Sequence, residues 1–128
     1  MKNFKNKVVV ITGAASGMGR SYALMFARLG SKIAICDYDE KGLKETEKLV
    51  RQAADVQLYS EKLDVSDKAG VYAFAQAVKA ALGDAHVIIN NAGVSGEGRP
   101  VWALSDDSYE RVMGINFWGV VHGTRAFL

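Results

Sequence analysis

The stretch VVVITGAASGMGRS, residues 8–21, places three glycines directly after a run of β-branched residues. A short, continuous apolar run of this kind predicts a strand that is buried on both faces of a parallel sheet. Gly13 lets the backbone leave that strand, Gly17 lets the main chain approach a pyrophosphate, and Gly19 lets the next helix pack closely on the sheet. We therefore predict a phosphate-cradling loop, although three glycines alone also fit a plain tight turn.

The rest of the chain alternates between predicted strands and helices. Further strands are predicted at residues 32–37, 56–65 and 86–89, and helices at 18–29, at 40–53, from a cap at Ser66 to Leu82, and from a cap at Ser105 or Asp106 to Phe127. This order predicts an α/β fold of the Rossmann type, a doubly wound parallel sheet with helices on both faces. No repeat or low-complexity tract divides it, so residues 1–128 are predicted to form one domain.

Helical spacing of the apolar residues predicts which helix faces point inward. The first helix has a stripe of Met18, Tyr22, Met25, Phe26 and Leu29, and Gly30 is placed to end it in a left-handed conformation. The second helix is predicted to bury Leu43, Thr46, Val50 and Ala53, and the third Val71, Phe74, Val78 and Leu82. In the long last helix the predicted inward residues are Tyr109, Val112, Met113, Asn116, Phe117, Val120, Val121, Thr124 and Phe127.

Charge and cysteine content disfavour several classes of function. The formal net charge of the 128 residues is +2, and the cations are interspersed with Asp and Glu, so nucleic acid and membrane are not expected partners. The apolar run near the N-terminus is too short for a signal peptide. The lone Cys36 and the absence of a Cys/His cluster predict no disulfide and no metal site, and they fit a cytoplasmic protein.

An acidic residue stands at the predicted end of the second strand. Asp37 lies 18 positions after Gly19, near the spacing expected of a carboxylate that accepts the hydroxyls of an adenosine ribose. A 2′-phosphate would place a second anion beside this carboxylate, and its sequence neighbours Tyr38 and Asp39 supply no arginine to offset the repulsion. NAD is therefore favoured over NADP, with Lys41 close enough to keep NADP open. A simpler interpretation makes Asp37 a helix-capping or turn residue.

The motif T-G-x-x-x-G-x-G in TGAASGMG, together with NNAG at residues 90–93, Asp64–Val65 and Asn116, resembles the short-chain dehydrogenase/reductase family. The resemblance implies that Gly13, Ser16, Gly17, Met18 and Gly19 line the pyrophosphate, that Asp37 binds the adenosine ribose, that Asp64 and Val65 flank the adenine, and that Asn91, Ala92 and Gly93 run along the cofactor. Asn90 is expected to link strands instead.

For Asn116, as for Asp37, the physical argument from the residues and the family resemblance both predict a special role. A lone Asn on a buried helical face is costly unless its amide finds a specific partner or water. The resemblance implies that this Asn perturbs the helix and holds a water of a catalytic proton relay, and the simpler alternative is a polar helix contact. Gly119 and Gly123 are expected to let another helix approach, and the family uses this helix in oligomer contacts. His122 is predicted to lie at the surface or in a subunit contact, and His86 to be a packed or edge residue.

The family's chemistry is reversible hydride transfer between a nicotinamide and the carbon of a small alcohol or ketone, with proton transfer through a Tyr and a Lys four residues later. None of the five tyrosines here has a Lys at that spacing. The sequence therefore predicts the NAD-binding part of such an oxidoreductase, homo-oligomeric in full form, truncated after the long helix and inactive alone. The rival hypothesis is a non-enzymatic dinucleotide-binding module that acts through self-assembly, and a nucleoside-phosphate or adenosylmethionine binder is the third.

Overall fold

A computed structural model describes residues 3–128 of the chain, which form a four-stranded parallel sheet flanked by helices. The strands are β1 (Val8–Thr12), β2 (Lys32–Asp37), β3 (Leu58–Lys62) and β4 (Val87–Ile89), and their order in the sheet is β3-β2-β1-β4. The chain thus adds β2 and β3 on one side of β1 and then crosses to the other side for β4. Such a reversal opens a crevice at the carboxyl ends of the strands, beside β1 and β4.

The helices are α1 (Gly17–Arg28), α2 (Glu40–Ala53), α3 (Lys68–Leu82), α4 (Asp106–Met113) and α5 (Gly119–Phe127). A short 3-10 turn, Val101–Ala103, precedes α4, and a π-helical turn, Gly114–Trp118, joins α4 to α5. No helix within residues 3–128 is both long enough and apolar enough to cross a bilayer. The same residues hold no group of three or more His, Cys, Asp or Glu side chains arranged to bind a metal ion.

The sheet separates two apolar clusters, as a doubly wound fold requires. Val9, Ile11, Ile33 and Ile35 point to the side covered by α1 and α2, whereas Val8, Val10, Ala34 and Cys36 point to the side covered by α3 and α5. Both sets of side chains are fully or almost fully buried. The near-continuous apolar strands of the sequence are therefore explained by burial on both faces, and the predicted fold class is confirmed.

Two predicted boundaries near β3 are wrong. The strand ends at Lys62 rather than at Val65, because the chain bends there to place Leu63 and Val65 in the core on the α3 side. The helix that follows is capped by Asp67, whose carboxylate accepts a hydrogen bond from the Gly70 N–H at 3.1 Å, and not by Ser66. The predicted cap at Ser105 is confirmed, since its hydroxyl accepts from the Ser108 N–H.

The predicted inward stripe of α1 is wrong for three of its five residues, since only Phe26 is buried and Tyr22 half-buried against the core. The residues that face the sheet are Gly19, Ala23, Phe26 and Ala27, while Met18, Met25 and Leu29 are exposed. Small side chains face inward because α1 lies directly against the glycine-rich turn and the strands, where a methionine would not fit. Gly30 ends the helix with φ +82°, as predicted.

The last helix is not continuous, and this shifts the predicted face. The π-turn inserts an extra residue, so the inward side passes to Ile115, Gly119 and Gly123. Several predicted core positions are exposed instead, namely Tyr109, Met113, Asn116, Phe117 and Val120. Val112, Val121, Thr124 and Phe127 are half-buried. A single helical period could not describe a segment whose phase changes midway.

Candidate functional site

A cavity of about 360 Å³ opens at the carboxyl ends of β1, β2 and β4. Its lining residues come from five separate segments of the chain: Gly13, Ser16, Gly17, Met18, Asp37, Tyr38, Leu63, Asp64, Val65, Asn91, Ala92, Gly93, Val94, Arg111 and Ile115. The structure therefore brings together all but one of the residues predicted to contact a cofactor. The exception is Gly19, which lies beneath the cavity.

The three glycines of the first turn have different surroundings. A Cβ added to Gly13 would lie 2.8 Å from the Ala92 Cα, and one added to Gly19 would collide with the Gly13 carbonyl, so both positions allow backbone to pack against backbone. Gly17 has φ +56°, and a Cβ there would have no atom within 4 Å. Gly17 is therefore open to the cavity, and the space beside it is the space a ligand can take.

Helix α1 begins at this open position. Ser16 occupies the N-cap position, but its side chain caps no N–H group, and the first turn contains no acidic residue. The first N–H groups of a helix have no partner within the helix, and together with the helix dipole they attract an anion. The floor of the cavity is thus a helix N-terminus suited to a phosphate group.

Asp37 lies at the end of β2, where its carboxylate is held in a fixed orientation. One oxygen accepts a hydrogen bond from the Ala15 N–H at 2.9 Å, and the other accepts from the Asp39 N–H at 2.9 Å. Each carboxylate oxygen can accept more than one hydrogen bond, so both retain capacity for ligand hydroxyls. Asp37 thus links the glycine turn to the second strand, and its ribose-binding role stays a prediction.

Asp64 and Val65 form the wall next to Asp37. Asp64 Oδ1 accepts hydrogen bonds from the Ser66 N–H at 3.0 Å and from the Ser66 hydroxyl at 2.6 Å, which fixes the bend after β3. Val65 is buried, and a Cβ on Gly119 would lie 2.7 Å from its Cγ2 atom. The wall is therefore supported from behind by α5.

Of the two asparagines at the end of β4, Asn91 lines the cavity, as predicted for it, and also takes the strand-linking role that was expected of Asn90. It is Asn91 that joins the strand ends, since its side chain donates to the Thr12 and Gly13 carbonyls at 3.1 Å and its N–H donates to the Thr12 hydroxyl at 3.0 Å. Asn90 instead donates to the Thr124 hydroxyl of α5 at 3.2 Å. Its buried Oδ1 faces Gly123 and has no hydrogen-bond partner among residues 3–128.

Gly119 and Gly123 therefore do not serve as an open stripe for another helix. Both are buried, Gly119 against Val65 and Gly123 against Asn90. They let α5 lie close to the sheet of its own chain. The expectation that these glycines receive a neighbouring helix is wrong, and oligomerisation itself stays a prediction.

Asn116 lies within the π-turn and is exposed rather than buried. Its amide makes a reciprocal pair of hydrogen bonds with the main chain of Val94: Oδ1 accepts from the N–H and Nδ2 donates to the carbonyl, both at 2.8 Å. The amide is therefore satisfied, and it ties the segment after β4 to the helix that lies over the cavity. The predicted perturbation of the helix corresponds to this π-turn. The water-holding role stays a prediction.

Sequence reasoning missed five cavity residues, namely Tyr38, Leu63, Val94, Arg111 and Ile115. Two of them, Tyr38 and Arg111, lie far apart in the chain. The Tyr38 ring is exposed beside Asp37, with the Lys62 ammonium 5.3 Å and the Arg111 guanidinium 6.0 Å from its centroid. Cations at these distances interact favourably with the face of an aromatic ring. Nothing in the sequence indicates that Arg111 of α4 reaches this place, so the absence of an arginine near Asp37 holds for its sequence neighbours only.

Cys36 and the two histidines lie outside the cavity. Burial raises the pKa of the Cys36 thiol well above its usual range, with Asp37 as a smaller cause, so the thiol stays neutral in the core. His86 is exposed at the start of the edge strand β4 and accepts a hydrogen bond from the Val8 N–H at 3.0 Å, which fits the predicted edge position rather than a packed one. His122 stacks on Trp118.

Comparison with known proteins identifies relatives over nearly the whole chain. The family model described as short chain dehydrogenase matches residues 7–128. SadH of Mycobacterium tuberculosis is 44% identical over 128 residues, which are 100% of this chain and 46% of SadH. Epidermal retinol dehydrogenase 2 of Homo sapiens is 39% identical over 127 residues, which are 99% of this chain and 41% of that protein. The chain thus spans less than half the length of these relatives.

Solved structures give the same match. A short chain dehydrogenase/reductase from Burkholderia phymatum, crystallised in complex with NAD, superimposes with a TM-score of 0.94 at 42% identity and covers 99% of this chain and 44% of that one. A metagenomic short-chain oxidoreductase in complex with NADP superimposes with a TM-score of 0.91 at 29% identity, with 97% and 56% coverage. Structural neighbours of this chain therefore bind either coenzyme.

Proposed function

Because this chain belongs to the short-chain dehydrogenase family, we propose that it is the coenzyme-binding part of an NAD-dependent oxidoreductase acting on a small alcohol or ketone. One observation carries the proposal: a helix N-terminus that is open at Gly17 shares a cavity with the anchored carboxylate of Asp37. This pairing provides donors for a pyrophosphate and acceptors for ribose hydroxyls in one continuous space. A phosphate site alone would need no such carboxylate.

The residues fit a dinucleotide as follows. The N–H groups around Ser16, Gly17 and Met18 would bind the pyrophosphate, and Gly13 and Gly19 would hold the loop in shape beneath it. Asp37 would accept the adenosine ribose hydroxyls, Asp64 and Val65 would flank the adenine, and Asn91, Ala92 and Gly93 would line the path toward the nicotinamide. When bound, the nicotinamide would supply the hydride acceptor or donor.

Such a reaction also requires groups that transfer a proton to or from the substrate. The chain contains no Tyr followed four residues later by Lys, so we propose that these 128 residues do not catalyse by themselves. Asn116 would act as a positioning residue, since it fixes Val94 at the edge of the cavity. In the complete enzyme, Asn116→Ala should lower kcat more than it raises the KM for NAD. An unchanged kcat would remove Asn116 from the mechanism.

The test of the function is a steady-state assay of the complete protein that contains this chain. NAD is supplied with a panel of primary and secondary alcohols, NADH is supplied with the matching ketones and aldehydes, and absorbance at the nicotinamide band is followed. Turnover of any pair supports the proposal. NADH binding by calorimetry without turnover across the panel would instead favour the non-enzymatic dinucleotide-binding module.

The preference for NAD is tested at Asp37. Two unit charges about 4 Å apart repel by about 4 kcal/mol at an effective dielectric constant near 20, so the carboxylate opposes a 2′-phosphate. The cations of Lys62 and Arg111, 5.3 Å and 6.0 Å from the ring of the neighbouring Tyr38, would reduce this penalty. We expect Asp37→Asn to shift the ratio of NADPH to NADH affinity by about tenfold or more toward NADPH. The exposed Asp55 provides the control Asp55→Asn, and an equal ratio in all three proteins would contradict the NAD preference.

A further inference from the structure

We propose that Arg20 is a positioning residue of the coenzyme site, which holds the peptide planes of the glycine turn (residues 13–17) from the side opposite the cavity. This inference rests on the proposed function, because the turn it shapes is the one assigned to the pyrophosphate. Arg20 itself does not line the cavity. Its action would pass through the main chain of the turn.

The Arg20 guanidinium joins the glycine turn to α2. Nη2 donates to the Ala15 carbonyl at 2.6 Å and to the Gly42 carbonyl at 3.1 Å, while Nε donates to the Thr46 hydroxyl at 2.9 Å. Arg20 is half-buried between these elements. A planar guanidinium with three acceptors on two elements fixes their relative position more strictly than a single hydrogen bond can.

Thr46 continues the same network one residue earlier in the turn. It is fully buried, and its hydroxyl donates to the Ala14 carbonyl at 2.7 Å. Arg20 and Thr46 therefore bind two consecutive carbonyls, those of Ala15 and Ala14. Gly42 makes this close approach possible, because a Cβ there would lie 2.9 Å from the Ala15 oxygen.

Binding the carbonyls also orients the N–H groups. In a trans peptide the C=O of one residue and the N–H of the next point in opposite directions within one plane. With the Ala14 carbonyl on Thr46, the Ala15 N–H points to the Asp37 carboxylate, where it donates at 2.9 Å. With the Ala15 carbonyl on Arg20, the Ser16 N–H is turned away from Arg20, toward the side on which Ser16 lines the cavity.

Arg20 also brings a positive charge beneath the turn. Its hydrogen-bond acceptors are carbonyl and hydroxyl oxygens, and none of the ion pairs among residues 3–128 involves it. A half-buried cation that no carboxylate neutralises is less screened than one on the surface, so it favours an anion on the other side of the turn. The hydrogen bonds of Arg20 and its positive charge thus both favour binding of an anion at the turn.

The test compares Arg20→Gln with Arg28→Gln in the complete protein, since Arg28 is an exposed arginine on the same helix. Calorimetric titrations use ADP, NADH and adenosine as probes. We expect Arg20→Gln to weaken ADP and NADH binding by about tenfold, with adenosine changed by less than about twofold, because only the pyrophosphate contacts the turn that Arg20 shapes. Arg20→Lys, which retains the charge but not the fork, should give an intermediate loss.

Thr46→Val serves as the second variant if Arg20→Gln does not fold, with Thr46→Ser as its hydroxyl-bearing control. It removes the acceptor of Nε and the donor to Ala14, so it should also weaken ADP binding. Adenosine binding should fall as well, but by less, because the Ala14–Ala15 peptide that Thr46 orients donates to Asp37. Equal losses for ADP and adenosine, or unchanged ADP binding, would overturn the role of Arg20 while leaving the proposed function intact. A wild-type protein that binds neither ADP nor NADH would instead overturn the proposed function and this inference with it.

Discussion

Gly17 and Gly98 share a backbone conformation but face different surroundings. Both have a positive φ, +56° and +69°, and a Cβ added to either would have no atom within 4 Å. Gly17 lies on the cavity, whereas Gly98 lies in the loop before α4, away from it. Substituting each glycine therefore distinguishes the effect of backbone strain, expected at both positions, from the effect of filling space that a ligand would occupy, expected at Gly17 alone.

We expect Gly17→Ala and Gly98→Ala each to lower the free energy of unfolding by about 1–2 kcal/mol, because an alanine in the left-handed region is strained. Only Gly17→Ala should weaken NADH binding, by more than about tenfold, since its methyl group would take space assigned to the pyrophosphate. Chemical denaturation and calorimetric titration measure the two effects. Similar NADH affinities in both variants would show that Gly17 is not at the ligand.

The ionisation of Tyr59 is expected to make the free energy of unfolding depend on pH at alkaline values. Burial raises the pKa of Tyr59 to about 12, aided by the hydrogen bond from its hydroxyl to Glu61 at 2.8 Å and by the charge of that carboxylate. The folded state thus keeps a proton that the unfolded chain loses near pH 10, so this stability is complete below pH 10 and is lost as the pH rises through 12. Denaturation at several pH values should show a fall that Tyr59→Phe reduces. A variant with the same fall would contradict the prediction.

At the scale of elements, α5 is the support of the site. Gly119 and Gly123 bring it against Val65 on the cavity wall and against Asn90 at the end of β4. The π-turn before it presents Asn116 to Val94, on the opposite rim of the same cavity. One helix therefore holds both walls, and its two contacts depend on glycine and on a change of helical phase.

Gly123→Ala tests this close approach. An alanine normally stabilises a helix by about 1 kcal/mol relative to glycine, but here its Cβ would collide with Asn90 Oδ1. We expect a loss of about 1–3 kcal/mol in the free energy of unfolding, measured by chemical denaturation. In an Asn90→Ala background the same substitution should cost less, because the colliding amide is gone. An equal cost in both backgrounds would mean that Asn90 is not the obstacle.

At the scale of the whole molecule, the cavity is assembled from segments that the sheet order brings together. Its lining comes from the ends of β1, β2 and β4, from the bend after β3 and from α4. A ligand there would contact elements on both sides of the point where the sheet order reverses. Its binding should therefore stabilise the domain as a unit rather than one loop.

We expect NADH at about 100 times its dissociation constant to raise the free energy of unfolding by about 2.7 kcal/mol, because it binds the folded state alone. Thermal or chemical denaturation of the complete protein with and without NADH measures the gain. Gly17→Ala should show a smaller gain at the same NADH concentration, and Gly98→Ala the full gain. No shift in any of the three proteins would argue against a coenzyme site in this cavity.

Local and periodic features of this chain are determined by its sequence. The run of β-branched residues followed by glycines predicts β1, the turn and α1, since strand burial and positive φ depend on the residues themselves. The alternation of strands and helices predicts the sheet, and the spacing of Asp37 predicts its place beside the turn. The buried faces of α2 and α3, confirmed except that Ala53 is half-buried, likewise follow from an unbroken helical period.

Features that depend on which elements meet were decided by the tertiary structure. The inward face of α1 follows from its contact with the strands, and the phase change before α5 turns Gly119 and Gly123 toward Val65 and Asn90. The pairing of Arg111 with Tyr38, 73 positions away, and that of Arg20 with Thr46, 26 positions away, leave no mark in the spacing of the sequence. Such contacts join residues through folded space, so no local propensity or periodicity can predict them.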